Sequence, residues 1–345
     1  MTIRQELVQG QTPDLEYSFT GAIAIHQEMA KRKFTELPSL RTINRILKKR
    51  DLIIKKRKSS KTKSGKYYPT LVALYPNRRH EVDLVTPRYI AGYGKVVSVN
   101  RKDAFSGHAN LQIYRAKGAD EVIEFLVEDW KAFGIPEFLQ LDNEASFRGG
   151  LRHPRSFGKL LRFCLNFGVQ ILFIPWEEPW RNPQIENFNG SFNRLLWKKK
   201  RFQDMEHLRT EARRFLAKIN DYQDYKNDRF SDAQALSHTL RFFPTSFRFN
   251  PETLLPITGG KIHFVRLVEQ DGTIVILNER FEVDRNLSFE YVWATIDTRK
   301  QLLSIYHQPS KDQKRVLVKE HKYQLREEVK SRIPVKNFCE LSAMS

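Results

Sequence analysis

From Pro76 to about residue 200, alternating and helical hydrophobic patterns follow one another in an order that restricts the fold more than any single motif. HEVDLVT (80–86), KVVSVN (95–100) and HANLQIY (108–114) alternate as strands do. GADEVIEFLVEDWKAFG then sets Val122, Phe125, Leu126 and Trp130 at helical spacing and stops at Gly134. The strand PEFLQLD, the helix SFGKLLRFCLNFG, the strand VQILFIP and a helical pattern from about Pro183 follow. Three strands and then helix–strand alternation imply an α/β layer with a mixed sheet, meandering strands first and parallel βαβ units after. A further helix, MEHLRTEARRFLAKINDY, would bury Leu208, Ala212, Phe215, Leu216 and Ile219.

Different textures flank this layer. FTGAIAIHQEMAKRKF offers Thr20 as a helix cap and puts Ala22, Ile25 and Met29 on one face. Ser39 caps SLRTINRILKKR, whose Ile43, Ile46 and Leu47 form a narrow apolar stripe opposite Arg41, Thr42, Arg45, Lys48 and Lys49. This pair reads as a helix-turn-helix whose second helix suits a DNA major groove, although generic helical hairpins are common. The stretch 48–66 then carries ten basic residues and the single acid Asp51, with Lys55, Lys56, Arg57 and Lys58 consecutive. Its Ser, Thr and Gly make it a linker, either a solvated spacer or a phosphate-contacting arm. Beyond Pro256, KIHFVRLVE, Asp271-Gly272 and TIVILN form a hairpin signal, and FEVD, LSFEYVWATID and QLLSIYH follow. Five short strands in so few residues imply a small β-barrel, with a polar tail behind it. The expected division is 1–54 for the helix-turn-helix, 55–75 for the linker and 76–230 for the α/β core. A connector at 231–254, the barrel at 255–307 and the tail at 308–345 complete it.

Charge narrows the partners. Among 345 residues, 59 Lys and Arg against 40 Asp and Glu leave a formal charge of +19, which favours a polyanion. No apolar run approaches the ~18 residues of a membrane span. The N-terminus lacks the apolar segment of a signal peptide. The two cysteines, Cys164 and Cys339, are too far apart for a CxxC pair, which suggests reduced thiols in a cytoplasmic compartment.

Three acids stand where an acid is costly unless used. Asp83 lies inside HEVDLVT, although Asp is depleted in strands. Asp142, followed by Asn143, closes PEFLQLD at the carboxyl edge, where α/β sheets bind ligands. Glu186 falls in the first turn of NPQIENFNGSFNRLLW. Each has an ordinary alternative: an edge-strand acid facing solvent, a turn-forming Asp-Asn, and a Glu favoured by the helix dipole. Their joint placement is the specific signal. If the first and fourth strands are neighbours, Asp83 and Asp142 lie side by side and the helix crosses them with Glu186. Three converging carboxylates would repel one another unless a hard divalent cation, Mg²⁺ or Mn²⁺, held them.

HEVDLVT, LQLDNEASF and PWRNPQIENFNGSFNR together resemble the motifs of DDE-type bacterial insertion-sequence transposases, whose catalytic core is retroviral-integrase-like and RNase H-like. Residues 18–50 resemble that family's helix-turn-helix, and 255–307 its small SH3-like barrel. The resemblance implies catalytic and metal-binding roles for Asp83, Asp142 and Glu186, with two Mg²⁺ per site and Mn²⁺ as a substitute. It implies cleavage of transposon ends and transfer of the 3′-hydroxyl into target DNA by a homo-oligomer assembled on double-stranded DNA in the bacterial cytosol. Glu144 stands where the family usually has Gly, and so does Pro183. The interval from Asp142 to Glu186, 44 residues, exceeds the usual one, with RGGLRHPRS as the apparent insertion. The two cysteines cannot build the zinc module of retroviral integrases.

Glu177 and Glu178 in PWEEPW lie in a loop with no strand to aim them. Trp176 and Trp180 suit packing or stacking on unpaired bases. Asp103 suits a turn. The competing reading is a catalytically inactive or co-opted transposase acting as a sequence-specific DNA-binding regulator; a plain nuclease on the same fold is weaker.

Overall fold

The computed structural model describes residues 2–10, 12–53, 66–149, 154–231 and 235–335. Its architecture is mixed α/β, organised on one large mixed sheet. The first strands are β1 (Arg79–Ile90), β2 (Gly94–Asp103) and β3 (Ala109–Tyr114), joined as an antiparallel meander. After the helix Ala119–Ala132 come β4 (Phe138–Leu141) and, past the helix Lys159–Asn166, β5 (Gln170–Phe173). β4 runs parallel to both β1 and β5, so the adjacency of first and fourth strands expected from the sequence is observed.

Strand alternation decides which side chains meet which helices. Val82 and Leu84 of β1, with Leu139 and Leu141 of β4, enter a core that includes Val122, Trp130 and Phe163 from the two helices on that face. Glu81, Asp83 and Gln140 therefore point to the opposite face. There the helix Pro183–Ser191 and a helix running Met205–Phe230 supply Ile185, Phe188, Leu208 and Phe215 to a second core. Leu216 is only partly buried against it. Pro87 lacks an N–H for the ladder, and the β1–β2 register shifts between Val85 and Arg88.

The strands expected to close a separate barrel over 255–307 instead carry the core sheet onward. β6 (Lys261–Leu267) pairs parallel with β5, and β9 (Tyr291–Asp297), β10 (Leu302–His307) and β11 (Val316–Lys322) follow antiparallel. The order is β11-β10-β9-β6-β5-β4-β1-β2-β3. β6 is buried at every interior position, as suits a strand covered on both faces, and one core runs unbroken from Trp130 to Phe264, Ile296 and Ile305. The Asp271-Gly272 turn forms, with Gly272 at φ +82 and its N–H bonded to the Glu269 carbonyl at 3.0 Å. It does not join a ladder as expected: β7 (Thr273–Ile276) pairs with β8 (Glu279–Glu282) in a sheet of its own. β11 lies within the segment expected to be a polar tail.

Three helices form the N-terminus: Thr2–Gln9, Ala22–Lys31 and Leu40–Lys49. Ser39 caps the third as expected, its Oγ accepting from Thr42 N–H at 3.2 Å. Thr20 does not cap the second; Gly21 holds that position without a side-chain bond. Ile46 is 47% exposed, so the apolar stripe reduces to Ile43 and Leu47. The unit rests on the helix Met205–Phe230 through Lys31–Asp221 at 2.7 Å and His26 Nδ1–Tyr225 OH at 2.6 Å. Cys164 is buried and free; Cys339 lies outside the described residues. Among the described residues no helix is long and apolar enough to cross a membrane.

Candidate active site

Glu81 and Gln140 are register partners on β1 and β4. Two residues on along each chain, on the same face, stand Asp83 and Asp142. Both line a cavity of about 610 Å³ whose wall also holds Lys117, Glu144, Glu186 and Asn189. The sequence-predicted trio thus borders one cavity, with Asp83 and Asp142 half-buried and Glu186 exposed. Burial, reinforced by Asp142 and Glu186, pushes the Asp83 carboxyl up to about 6. Burial also raises Asp142, against the nearby Lys117 ammonium, and raises Glu186, with Asp142 adding to it. The acids are therefore close enough to oppose one another's ionisation.

The helix Pro183–Ser191 is fastened over them by groups that sequence reasoning missed. Glu81, fully buried, accepts the N–H groups of Gln184 and Ile185, both at 3.0 Å, and its other oxygen pairs with Arg79 at 3.1 Å. A strand carboxylate thus satisfies two N–H groups that a helix start leaves free. Burial raises Glu81, opposed first by Arg79 and then by those two N–H bonds. From β4, Gln140 Nε2 donates to Asn182 Oδ1 at 2.5 Å. Asn189 Nδ2 donates to Asp83 Oδ2 at 2.6 Å, and Asn100 Nδ2 donates to Asn189 Oδ1 at 2.7 Å. The signal for Glu81 was present in HEVDLVT, where it shares Asp83's strand face; the asparagines gave none.

Asn143 also borders the cavity, but its side-chain amide is engaged by other groups. Its Nδ2 donates to the Ile174 carbonyl at 2.7 Å and its Oδ1 accepts from Arg266 Nη2 at 2.7 Å. Arg266, on β6, is buried, lowered to about 9 by that burial, and also donates to the carbonyls of Ile174, Val265 and Val275. The extended sheet thereby reaches the residue next to Asp142.

Both departures from the family pattern are accommodated locally. Pro183 occupies the first helical position, where no N–H is required. Glu144 forms an ion pair with Lys117, and its N–H donates to Asp142 Oδ1 at 2.9 Å. At the base of the apparent insertion, Gly149 and Gly158 touch; a Cβ on Gly149 would stand 2.6 Å from the Gly158 Cα. Residues 150–153 lie outside the described residues.

Glu178 is engaged by Arg181 at 2.9 Å and by the Tyr291 hydroxyl at 2.7 Å, while Glu177 is exposed. Trp176 carries the Arg148 guanidinium 4.9 Å from its ring. Asp103 does form a turn, accepting from Phe105 and Ser106 N–H.

Six acids line the cavity, and the three among them that oppose one another's ionisation, Asp83, Asp142 and Glu186, fit a hard divalent cation in kind. Among the described residues no three His, Cys, Asp or Glu are already drawn into a metal-holding group. On the third N-terminal helix, Arg41, Arg45, Lys48 and Lys49 are exposed and make no ion pair among the described residues. The Thr42 hydroxyl stays within 3.1 Å of Ser39 Oγ. Lys55, Lys56, Arg57 and Lys58 lie outside the described residues.

No family model matches the sequence, and no curated protein does. Among solved structures, the chain is similar to the HTLV-2 integrase catalytic core domain in complex with magnesium (trimeric form). That match has 18% identity and a TM-score of 0.32, over 42% of this chain and 86% of that one. It is also similar to a chain of the simian T-cell lymphotropic virus intasome in complex with PP2A regulatory subunit B56 gamma. Here identity is 12% and the TM-score 0.36, over 87% and 93% of the two chains. The BIV integrase catalytic core matches at 11% identity and a TM-score of 0.30, over 41% and 82%. These likenesses are remote, and the chemistry of the site rests on its own residues.

Proposed function

We propose that the chain is a divalent-metal-dependent polynucleotidyl transferase that cleaves DNA at element ends and joins the 3′-hydroxyl to target DNA. One observation carries this reading: Asp83 and Asp142 share a face of adjacent parallel strands, and Glu186 borders the same cavity. Asp83, Asp142 and Glu186 would hold the metal. A pair of bound divalent ions would activate water or a DNA 3′-hydroxyl and steady the leaving oxygen of an in-line displacement. The chain's own groups keep the acids in place. Asn189 fixes one oxygen of Asp83, Lys117 offsets the charge that Glu144 adds beside Asp142, and Glu81 with Gln140 anchors the helix of Glu186. The exposed basic residues of the helix Leu40–Lys49, with Lys55, Lys56, Arg57 and Lys58, would bind the duplex as a helix-turn-helix and basic arm. A homo-oligomer would bring two ends together.

Strand transfer on the element's own ends, in Mg²⁺ and in Mn²⁺, tests the proposal with DNA binding followed in parallel. Asp83→Asn, Asp142→Asn and Glu186→Gln should each abolish cleavage and joining while end binding survives. Glu177→Gln should leave activity within a few-fold. Wild type inert with both metals would favour the DNA-binding regulator; an active Asp83→Asn would mean that the site is wrongly assigned.

A further inference from the structure

On the far side of the Glu186 helix lies a second cavity, of about 350 Å³, between β2, that helix and the helix Met205–Phe230. Lys102 of β2 lines its floor and is only 8% exposed; Lys226 stands exposed at its rim. Gln184, Asn187, Gln223 and Asn227 complete its polar wall. Gln223 and Asn227 are bonded to each other at 2.9 Å, and Asn227 also donates to the Ser106 carbonyl at 2.7 Å. The Gln184 and Asn187 side-chain amides have no such engagement among the described residues.

The lysines lack partners as well. Neither ammonium makes a hydrogen bond or ion pair among the described residues. The acid that acts on Lys102 is Glu81, its cross-strand register partner, but the Glu81 oxygens are taken by Arg79 and by the N–H groups of Gln184 and Ile185. Burial lowers Lys102, Lys226 lowers it further, and Glu81 opposes both. A buried ammonium with no acceptor is costly, and a second cation facing it adds to the cost. An anion seated between them offsets both terms.

We propose that this cavity binds a phosphate group, held by the Lys102 and Lys226 ammonium groups and the amide donors of Gln184 and Asn187. Two charged donors and two neutral ones match a tetrahedral oxyanion carrying one or two negative charges. The phosphate is either free or a phosphodiester of bound DNA; the recognition chemistry is the same. Gln184 and Asn187 flank Glu186 on one helix, so occupancy steadies that helix from behind.

Titration of the full chain with inorganic phosphate at constant ionic strength, followed by its thermal midpoint, tests the site. Wild type should show a saturable rise that chloride does not give. Lys102→Met should raise the midpoint without phosphate, since a buried charge is removed, and weaken phosphate binding at least tenfold. Lys226→Gln, at an exposed position, should weaken binding while leaving the fold unchanged. Displacement of radiolabelled phosphate by a short duplex identifies the DNA backbone as the source; retention identifies free phosphate. A wild type without a saturable response, or both lysine variants binding phosphate as tightly as wild type, would overturn the proposal.

Discussion

Replacing Glu81 with alanine should loosen the first turn of the helix that carries Glu186 before it unfolds the protein. The side chain is fully buried and accepts two N–H groups at 3.0 Å while pairing with Arg79 at 3.1 Å. Hydrogen bonds to a charged acceptor contribute roughly 1.5–3 kcal/mol each, and orphaning a buried partner costs about 1–3 kcal/mol. Against this stands the burial that already raises the Glu81 carboxyl, a cost that truncation relieves. The net loss expected for Glu81→Ala is about 3 kcal/mol, within the range for breaking a buried pair on one side. Glu81→Gln keeps a carbonyl acceptor and sheds the buried charge, so about 1 kcal/mol is expected. Hydrogen exchange at the Gln184 and Ile185 amides reads the effect directly. A local loss of about 2 kcal/mol speeds their exchange roughly thirtyfold in the alanine variant. Exchange at Leu139 and Leu141, on the other core, should change less. Unaltered exchange at Gln184 and Ile185 would refute the anchoring role, and equal acceleration everywhere would show a merely global effect.

Two further outcomes follow from other parts of the molecule. Glu211, only 6% exposed, is held down to about 2 because bonds from Lys200, Tyr17 and Arg214 outweigh the burial that would raise it. Since its folded value lies below the unfolded one, its stabilisation is present above pH ~4.5 and fades as pH falls toward ~2. Denaturation midpoints of wild type and Glu211→Gln should differ by about 1–2 kcal/mol at pH 7 and converge near pH 2; a constant gap would mean that protonation is not involved. Arg45→Ala should weaken binding to the element's ends by about 1–3 kcal/mol and to random DNA much less, in a fluorescence titration. Equal losses on both would remove the helix Leu40–Lys49 from sequence reading.

What the sequence disclosed and what it concealed follow a physical divide. Local signals were legible: Ser39 before a helical run, Gly134 after one, and the alternation of HEVDLVT that puts Val82 and Leu84 on one face and Asp83 on the other. The meeting of Asp83 with Asp142 was conditional on one strand adjacency, which the strand–helix order itself suggested. The pairing of β5 with β6 was not legible, because nothing in QILF or KIHFVRL specifies a partner some ninety residues away in the chain. Five short strands beyond Pro256 satisfied the pattern of a barrel equally well. Glu81 escaped notice because a buried strand acid is identified by what it touches. Asn189, Lys117 and Arg266 are ordinary residues in sequence whose use depends wholly on tertiary placement.

The β5–β6 ladder also has a consequence for synthesis. While the chain is being made, β5 emerges with one edge bare until β6 has cleared the ribosome, and an unpaired apolar strand invites pairing with a neighbouring nascent chain. Parallel pairing across so long an interval must also meet the entropy of closing the loop before any of its bonds form. A fragment ending at residue 254 would hold every acid of the candidate site and still expose that edge. Such fragments should collect in the insoluble fraction, and co-expression of the missing C-terminal strands should return them to solution.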